Sequence, residues 1–293
     1  MSDIKLFRID KNQVSELAGR SVAVEKSLQD QIEKYMDTFL GVTFLVSEYS
    51  TGKVHGGRID TLGIDENGCP VIIEYKRATN QNVINQGLFY LDWLLDHRGD
   101  YELLVLEKCG KEVSKKIDWS SPRLICIAGD FTKYDQYAVQ QINRNIELIR
   151  YGRFGEDLLL FELVNAVSAD TGSGEYKTIE QTLEEAPRDL ADIFFALKEM
   201  LLNFGDDVQM KTLKYYFAFK KIKNFACVEI YNKAKKLEVY VKVDPENTKL
   251  EKGFSKDVRE IGHLGTGNLQ ITILSMDDLE KARPLLEQSY ERS

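Results

Sequence analysis

The sequence has no run of about 18 apolar residues, the length a membrane-crossing helix needs, so a helical transmembrane anchor is excluded. Its first ten residues mix charges and carry no apolar signal core, so secretion is not expected and the cytoplasm is the expected compartment. Cysteine is scarce. The four present (Cys69, Cys109, Cys126, Cys227) lie far apart with no Cys-x-x-Cys pair, which argues against a zinc ribbon and a disulfide framework. The glycine-rich stretch His263-Leu-Gly-Thr-Gly-Asn268 lacks the Gly-Lys-Ser/Thr of a phosphate loop and reads as a turn before a strand. Nucleophile-elbow, kinase and dinucleotide signatures are missing, as are solenoid-period repeats and low-complexity tracts. A basic surplus is missing too: 39 Lys and Arg stand against 47 Asp and Glu, a net charge of −8, so bulk electrostatics does not advertise a nucleic-acid binder.

What is present is ordinary globular material, 293 residues with 43% apolar and 29% charged, enough for two domains with real cores. Ser168-Ala-Asp-Thr-Gly-Ser-Gly174 is small, polar and glycine-rich, as linkers are. The expected division is a first domain over 1–167, a linker over 168–178 and a second domain over 179–293. Charge is uneven across the second part: residues 175–207 carry 9 acids and 3 bases, whereas 211–242 carry 9 lysines and 2 acids.

The first domain alternates helix and strand patterns. Val24–Leu40 has apolar residues at helical spacing, and Val42–Val46 follows as a strand. Gly57–Ile64 and Val71–Lys76 read as strands joined through Asp65-Glu-Asn-Gly68, whose Asn-Gly is a strong hairpin signal. Asn82–Leu95 reads as a helix, Leu103–Leu106 and Leu124–Ala128 as buried strands, Asp135–Asn145 as a helix, and Ile146–Arg150 and Leu158–Leu163 as strands. This order predicts an α/β fold around a mixed sheet. The second domain opens with a helix over Leu190–Phe204. Strands at Tyr215–Phe219, Ala226–Tyr231, Leu237–Val243 and Leu269–Leu274 follow, then a helix capped by Ser275, so a smaller α+β domain is expected.

The chemistry concentrates between Gly56 and Tyr90. On the second hairpin strand side chains alternate faces, so Glu74 and Lys76 are neighbours on one face of an otherwise apolar segment. Buried there, they are costly unless paired or bound to a metal. Asp60, on the preceding strand, can approach Glu74 across the hairpin. Two adjacent carboxylates repel, and a hard divalent cation, Mg²⁺ or Mn²⁺, resolves that conflict. Each residue taken alone has a plainer role: Glu-x-Lys as a surface pair and Asp60 as a turn residue.

Asp60, then Glu74-Tyr-Lys76 fourteen residues on, following a helix that carries Glu25, resembles the PD-(D/E)XK nuclease superfamily. Gln86-x-x-x-Tyr90 resembles its RecB-like branch. The stretches Gly-Arg-Ile-Asp60-Thr-Leu-Gly-Ile and Val-Ile-Ile-Glu74-Tyr-Lys-Arg77 resemble the NucS-like endonucleases. The resemblance covers residues 1–165. It departs from the literal motif in having Ile59, not proline, before Asp60. It implies a restriction-endonuclease-like αβββαβ core and a Mg²⁺- or Mn²⁺-dependent endonuclease acting on DNA rather than RNA. Asp60, Glu74 and the Tyr75 carbonyl would hold the metal, and Lys76 would orient or deprotonate the attacking water. Glu25 would reach the metal through water, with a solvated helix face as its alternative. Gln86 and Tyr90, at i and i+4, would brace the site, with backbone bonding and core packing as theirs. Arg58 and Arg77 flank the motifs and could touch phosphates. His55 is a candidate ligand, although a lone histidine in a loop more often has no special role. Residues 180–290 resemble a prokaryotic C-terminal domain of unknown function. The lysines and aromatics of 211–242 could form a nucleic-acid face, although a core filled by the aromatics is the simpler reading. A homodimer is a further expectation. Two rivals to the enzyme are a non-cleaving nucleic-acid-binding module on the same fold and a protein-interaction or regulatory factor whose hairpin charges form a structural salt bridge.

Overall fold

A computed structural model of the protein describes residues 4–10, 13–20, 26–76, 83–155, 157–167, 178–261, 263 and 265–293. The chain divides into two compact units, Met1–Asp170 and Thr171–Ser293, both mixing helices with sheet. The glycine-rich stretch 168–174 lies outside the described residues. Among the described residues no helix is long and apolar enough to cross a membrane.

In the first unit β1 (Leu6–Asp10) and β2 (Gln13–Leu17) make a two-stranded ribbon, and β3 (Gly19–Arg20) joins the main sheet. Next come α1 (Lys26–Lys34), α2 (Met36–Leu40), β4 (Val42–Ser50), the single turn α3 (Gly52–His55), β5 (Arg58–Asp65) and β6 (Pro70–Lys76). Then follow α4 (Val83–Asp96), α5 (Arg98–Cys109), the short α6 (Lys111–Ser114), β7 (Arg123–Ala128), α7 (Lys133–Gln140), β8 (Asn145–Phe154) and β9 (Leu158–Val167). The seven-stranded sheet runs β3-β8-β7-β6-β5-β4, with β9 paired to β8. Its middle, β6-β7-β8, is parallel, and β4-β5-β6 is antiparallel.

The hairpin between β5 and β6 forms where Asn-Gly places it. Gly68 takes φ +80°, and Asp65 and Cys69 close the turn. The strand expected over Leu103–Leu106 is instead the middle of α5. Tyr101 and Val105, one turn apart, are buried, whereas Leu103 and Leu106 are 55% and 42% exposed. The single helix expected over Val24–Leu40 is two, interrupted at Tyr35 and ended by Gly41 in the left-handed conformation. The helix expected over Asp135–Asn145 starts earlier, because Thr132 and Asp135 form a capping box, and it ends at Gln140.

In the second unit α8 (Ile179–Glu184) and α9 (Arg188–Leu202) precede β10 (Gln209–Thr212), β11 (Phe217–Lys220), β12 (Asn224–Tyr231), β13 (Lys236–Val241), β14 (Ser255–Asp257), β15 (Leu269–Ile273) and α10 (Met276–Glu291). The six strands pair antiparallel in the order β10-β11-β12-β13-β15-β14. Apolar residues of α9 (Phe194, Leu197) and α10 (Leu279, Leu286) bury themselves with those of the sheet (Val228, Val239, Ile271). Ser275 caps α10, its hydroxyl accepting from Asp278 N. The aromatics of 211–242 mostly fill the interior: Tyr216, Phe217, Phe219, Phe225 and Tyr240 are buried. Lys211 and Lys220 are buried as well, and Lys236 pairs with Glu238.

Candidate active site

The backbone ladder of the β5–β6 hairpin runs from Ile64 opposite Pro70 to Thr61 opposite Ile73. Immediately beyond it, side chains replace backbone carbonyls as acceptors. The Asp60 N–H donates to Glu74 Oε1 at 3.0 Å, and the Tyr75 N–H donates to Asp60 Oδ2 at 3.0 Å. Two carboxylates are therefore lodged side by side at the end of a hairpin, each accepting a charge-assisted bond from the other strand's backbone. Glu74 is buried and Asp60 half-buried.

Asp60 faces a cavity of about 720 Å³ that Tyr75, Gln86, Tyr90, Arg58 and Glu48 also line. Gln86 and Tyr90 reach it from one side of α4, and Gln86 Nε2 donates to the Tyr90 hydroxyl at 3.3 Å. That hydroxyl also accepts from Arg58 N at 3.1 Å, so it ties α4 to the start of β5. Gly57 makes room for this, since a Cβ there would lie 2.5 Å from Tyr90 Cε1. Tyr90→Phe leaves the Arg58 N–H without this acceptor. It is expected to cost about 1–2 kcal/mol in denaturant unfolding, mostly by loosening the cavity rim.

Sequence reasoning missed a polar cluster on β5 whose residues do not line the cavity. Gln29 and Glu33, at i and i+4 on α1, reach the same strands. Glu33 Oε1 accepts from Thr61 Oγ1 at 2.6 Å and from Gln29 Nε2 at 2.9 Å. Gln29, fully buried, also reaches the Asp60 carbonyl at 3.4 Å. The available signal was position: both residues directly follow the buried Leu28 and Ile32 in sequence and so flank the apolar stripe. The hydroxyl of Tyr75 is buried and, among the described residues, makes no hydrogen bond of ordinary geometry. Burial holds its pKa well above the normal range. The neighbouring Thr61 hydroxyl works against this, and Glu33, Asp60 and Glu74 add smaller upward contributions.

Asp60, Tyr75, Gln86, Tyr90 and Arg58 are thus brought together around one cavity, whereas Glu74 does not line it and is tied to it through the Asp60 N–H. Glu25 and Arg77 lie outside the described residues, as does the side chain of Lys76, whose backbone ends β6. His55 packs its ring on Phe89, with centroids 4.8 Å apart, and stands 6.1 Å from His97. Among the described residues no group of three or more His, Cys, Asp and Glu side chains is set to hold a metal. The donors at the hairpin end are nevertheless of the hard oxygen type. An ion such as Mg²⁺ needs only one or two carboxylates, because it keeps several of its waters. Asp60, which lines the cavity, and Glu74, which accepts the Asp60 N–H, supply that number.

Residues 179–293 match a family described as "Domain of unknown function (DUF5655)". The chain is 29% identical over 306 residues to a protein of Haemophilus influenzae described as "Uncharacterized protein", and this similarity spans 98% of the chain and 100% of the relative. No solved structure matches.

Proposed function

We propose that the first unit is a metal-dependent nuclease with a restriction-endonuclease-like αβββαβ core, hydrolysing phosphodiester bonds in DNA in the cytoplasm, and that the second unit is an accessory domain. The observation that carries this reading is the reciprocal carboxylate pair, Asp60 and Glu74, held at the open end of a buried hairpin beside a polar cavity. The order α1/α2, β4, β5, β6, α4, β7 supports it.

Asp60, Glu74 and the Tyr75 carbonyl would hold Mg²⁺ or Mn²⁺. Such an ion, when bound, lowers the pKa of water and offsets charge on the scissile phosphate. Lys76 is assigned to orient the attacking water. Backbone N–H groups fix both carboxylates from the protein side. Tyr90 and Gln86 keep the cavity wall in register with β5. Arg58, exposed on the rim, supplies a phosphate contact.

The test is incubation of the purified chain with labelled single-stranded, duplex and branched DNA. Cleavage is expected with Mg²⁺ or Mn²⁺ and is expected to vanish with EDTA and in Lys76→Ala. Intact DNA under every condition overturns the assignment. Metal-independent binding without cleavage would then favour a binding module on the same fold.

A further inference from the structure

Glu48 breaks a local rule. It sits inside β4 yet has φ 55°, a left-handed conformation that a non-glycine residue rarely adopts and that persists only where its surroundings impose it. Its neighbours Ser47 and Tyr49 pair with Thr61 and Ile59, which puts Glu48 opposite Asp60. Its carboxylate lines the same cavity. There it meets two cations from separate elements, Arg58 Nη1 at 3.3 Å on β5 and Lys26 Nζ at 3.7 Å on α1. Both basic side chains are more than half exposed, so these are exchangeable surface pairs. Among the described residues Lys26, Arg58 and the cavity-lining Lys53 are basic groups at this rim, in a chain whose net charge is −8.

We propose that Glu48 is a built-in phosphate mimic. It occupies Arg58 and Lys26 in the free protein and gives them up to a backbone phosphate of the incoming nucleic-acid strand. Binding is then an exchange of one anion for another at the cavity rim. The strained backbone fixes the carboxylate beside the cations, and an ordinary polyanion must displace it. This device makes the site selective against casual contact with duplex DNA. It rests on the nucleic-acid reading of the cavity, but not on cleavage.

The experiment measures binding of the full chain to a fluorescent single-stranded oligonucleotide and to a duplex, without divalent metal, across a salt series. Retention on heparin serves as a sequence-blind control. Glu48→Gln keeps the side chain's shape and removes its charge. It is expected to tighten binding roughly tenfold at low salt and to steepen the salt dependence by about one to two phosphate contacts. Arg58→Ala in the Glu48→Gln background should cancel much of the gain. Glu48→Gly removes both charge and strain, so it should bind as tightly as Glu48→Gln and melt higher than wild type. Unchanged or weaker binding in Glu48→Gln overturns the proposal. So does a gain seen only in Glu48→Gly, or no binding by any variant to DNA or heparin. Because no metal is present, absence of cleavage activity leaves this result readable, which separates it from a failure of the nuclease assignment.

Discussion

Glu74→Gln is expected to abolish metal-dependent DNA cleavage while leaving the chain folded. Glu74 is 1% exposed and its Oε1 accepts the Asp60 N–H at 3.0 Å. A glutamine amide oxygen accepts the same bond, so the hairpin end keeps its geometry. What disappears is the negative charge. A bound divalent ion supplies several kcal/mol of charge stabilisation to the transition state. At tenfold per about 1.4 kcal/mol, losing its anchor costs about a thousandfold or more in single-turnover rate. Asp60→Asn is expected to behave alike, since its amide oxygen can still accept from Tyr75 N. Stability should move the other way. Neutralising one of two adjacent carboxylates relieves their repulsion, so without metal the melting temperature of Glu74→Gln should equal or exceed that of wild type. Added Mg²⁺ or Mn²⁺ should raise the melting temperature of wild type and not of the variant, as expected when an ion binds only the folded state. A variant that cleaves within about tenfold of wild type would remove Glu74 from the metal site.

The half of this site that lies on the hairpin was legible because it obeys short-range rules. Asn67-Gly68 fixes the turn, the turn fixes the register, and the register sets Asp60 against Glu74. Helical spacing puts Gln86 and Tyr90 on one side of α4, but the family resemblance is what singles them out. The rest depends on packing that no short window contains. Glu33 reaches β5 only because α1 lies against the strand that carries Thr61. Glu48 looks like any strand residue until its backbone angle is known. The run Leu103–Leu106 satisfies a strand template, yet it is helical because Tyr101 and Val105 bury one face, the Tyr101 hydroxyl donating to the Gly63 carbonyl at 2.7 Å. β1 and β2 are almost wholly exposed and β10 and β14 very short, so none carries the apolar alternation by which strands are read.

Arg123→Ala is expected to be the most destabilising single change in the first unit. Arg123 opens β7 and is 3% exposed. Its guanidinium grips Glu147 with two bonds, Nε to Oε1 at 2.8 Å and Nη2 to Oε2 at 2.9 Å, and donates from Nη1 to Asp65 Oδ2 at 2.9 Å. Burial alone would lower its pKa, but Glu147 and then Asp65 outweigh burial and hold it above the usual arginine range. Asp65 in turn caps the hairpin, its Oδ1 accepting from Asn67 N and Cys69 N, both at 2.9 Å. One cation thus joins the turn between β5 and β6 to β7 and β8, and through the turn it sets the register that brings Asp60 to Glu74. Removing it strands two buried carboxylates, which costs about 3–5 kcal/mol. At roughly 2–4 °C per kcal/mol for a unit of this size, the melting temperature should fall by on the order of 10 °C. Arg123→Lys should recover little, because a point ammonium cannot make the bidentate fork to Glu147 and reach Asp65 together. Replacing Arg123 and Glu147 jointly by leucine and methionine should cost less than Arg123→Ala alone, because Asp65 then remains the single unpaired charge and still has its two turn bonds. Urea unfolding of wild type and the three variants measures this order, and an Arg123→Ala cost below about 1 kcal/mol would show that the triad carries no register.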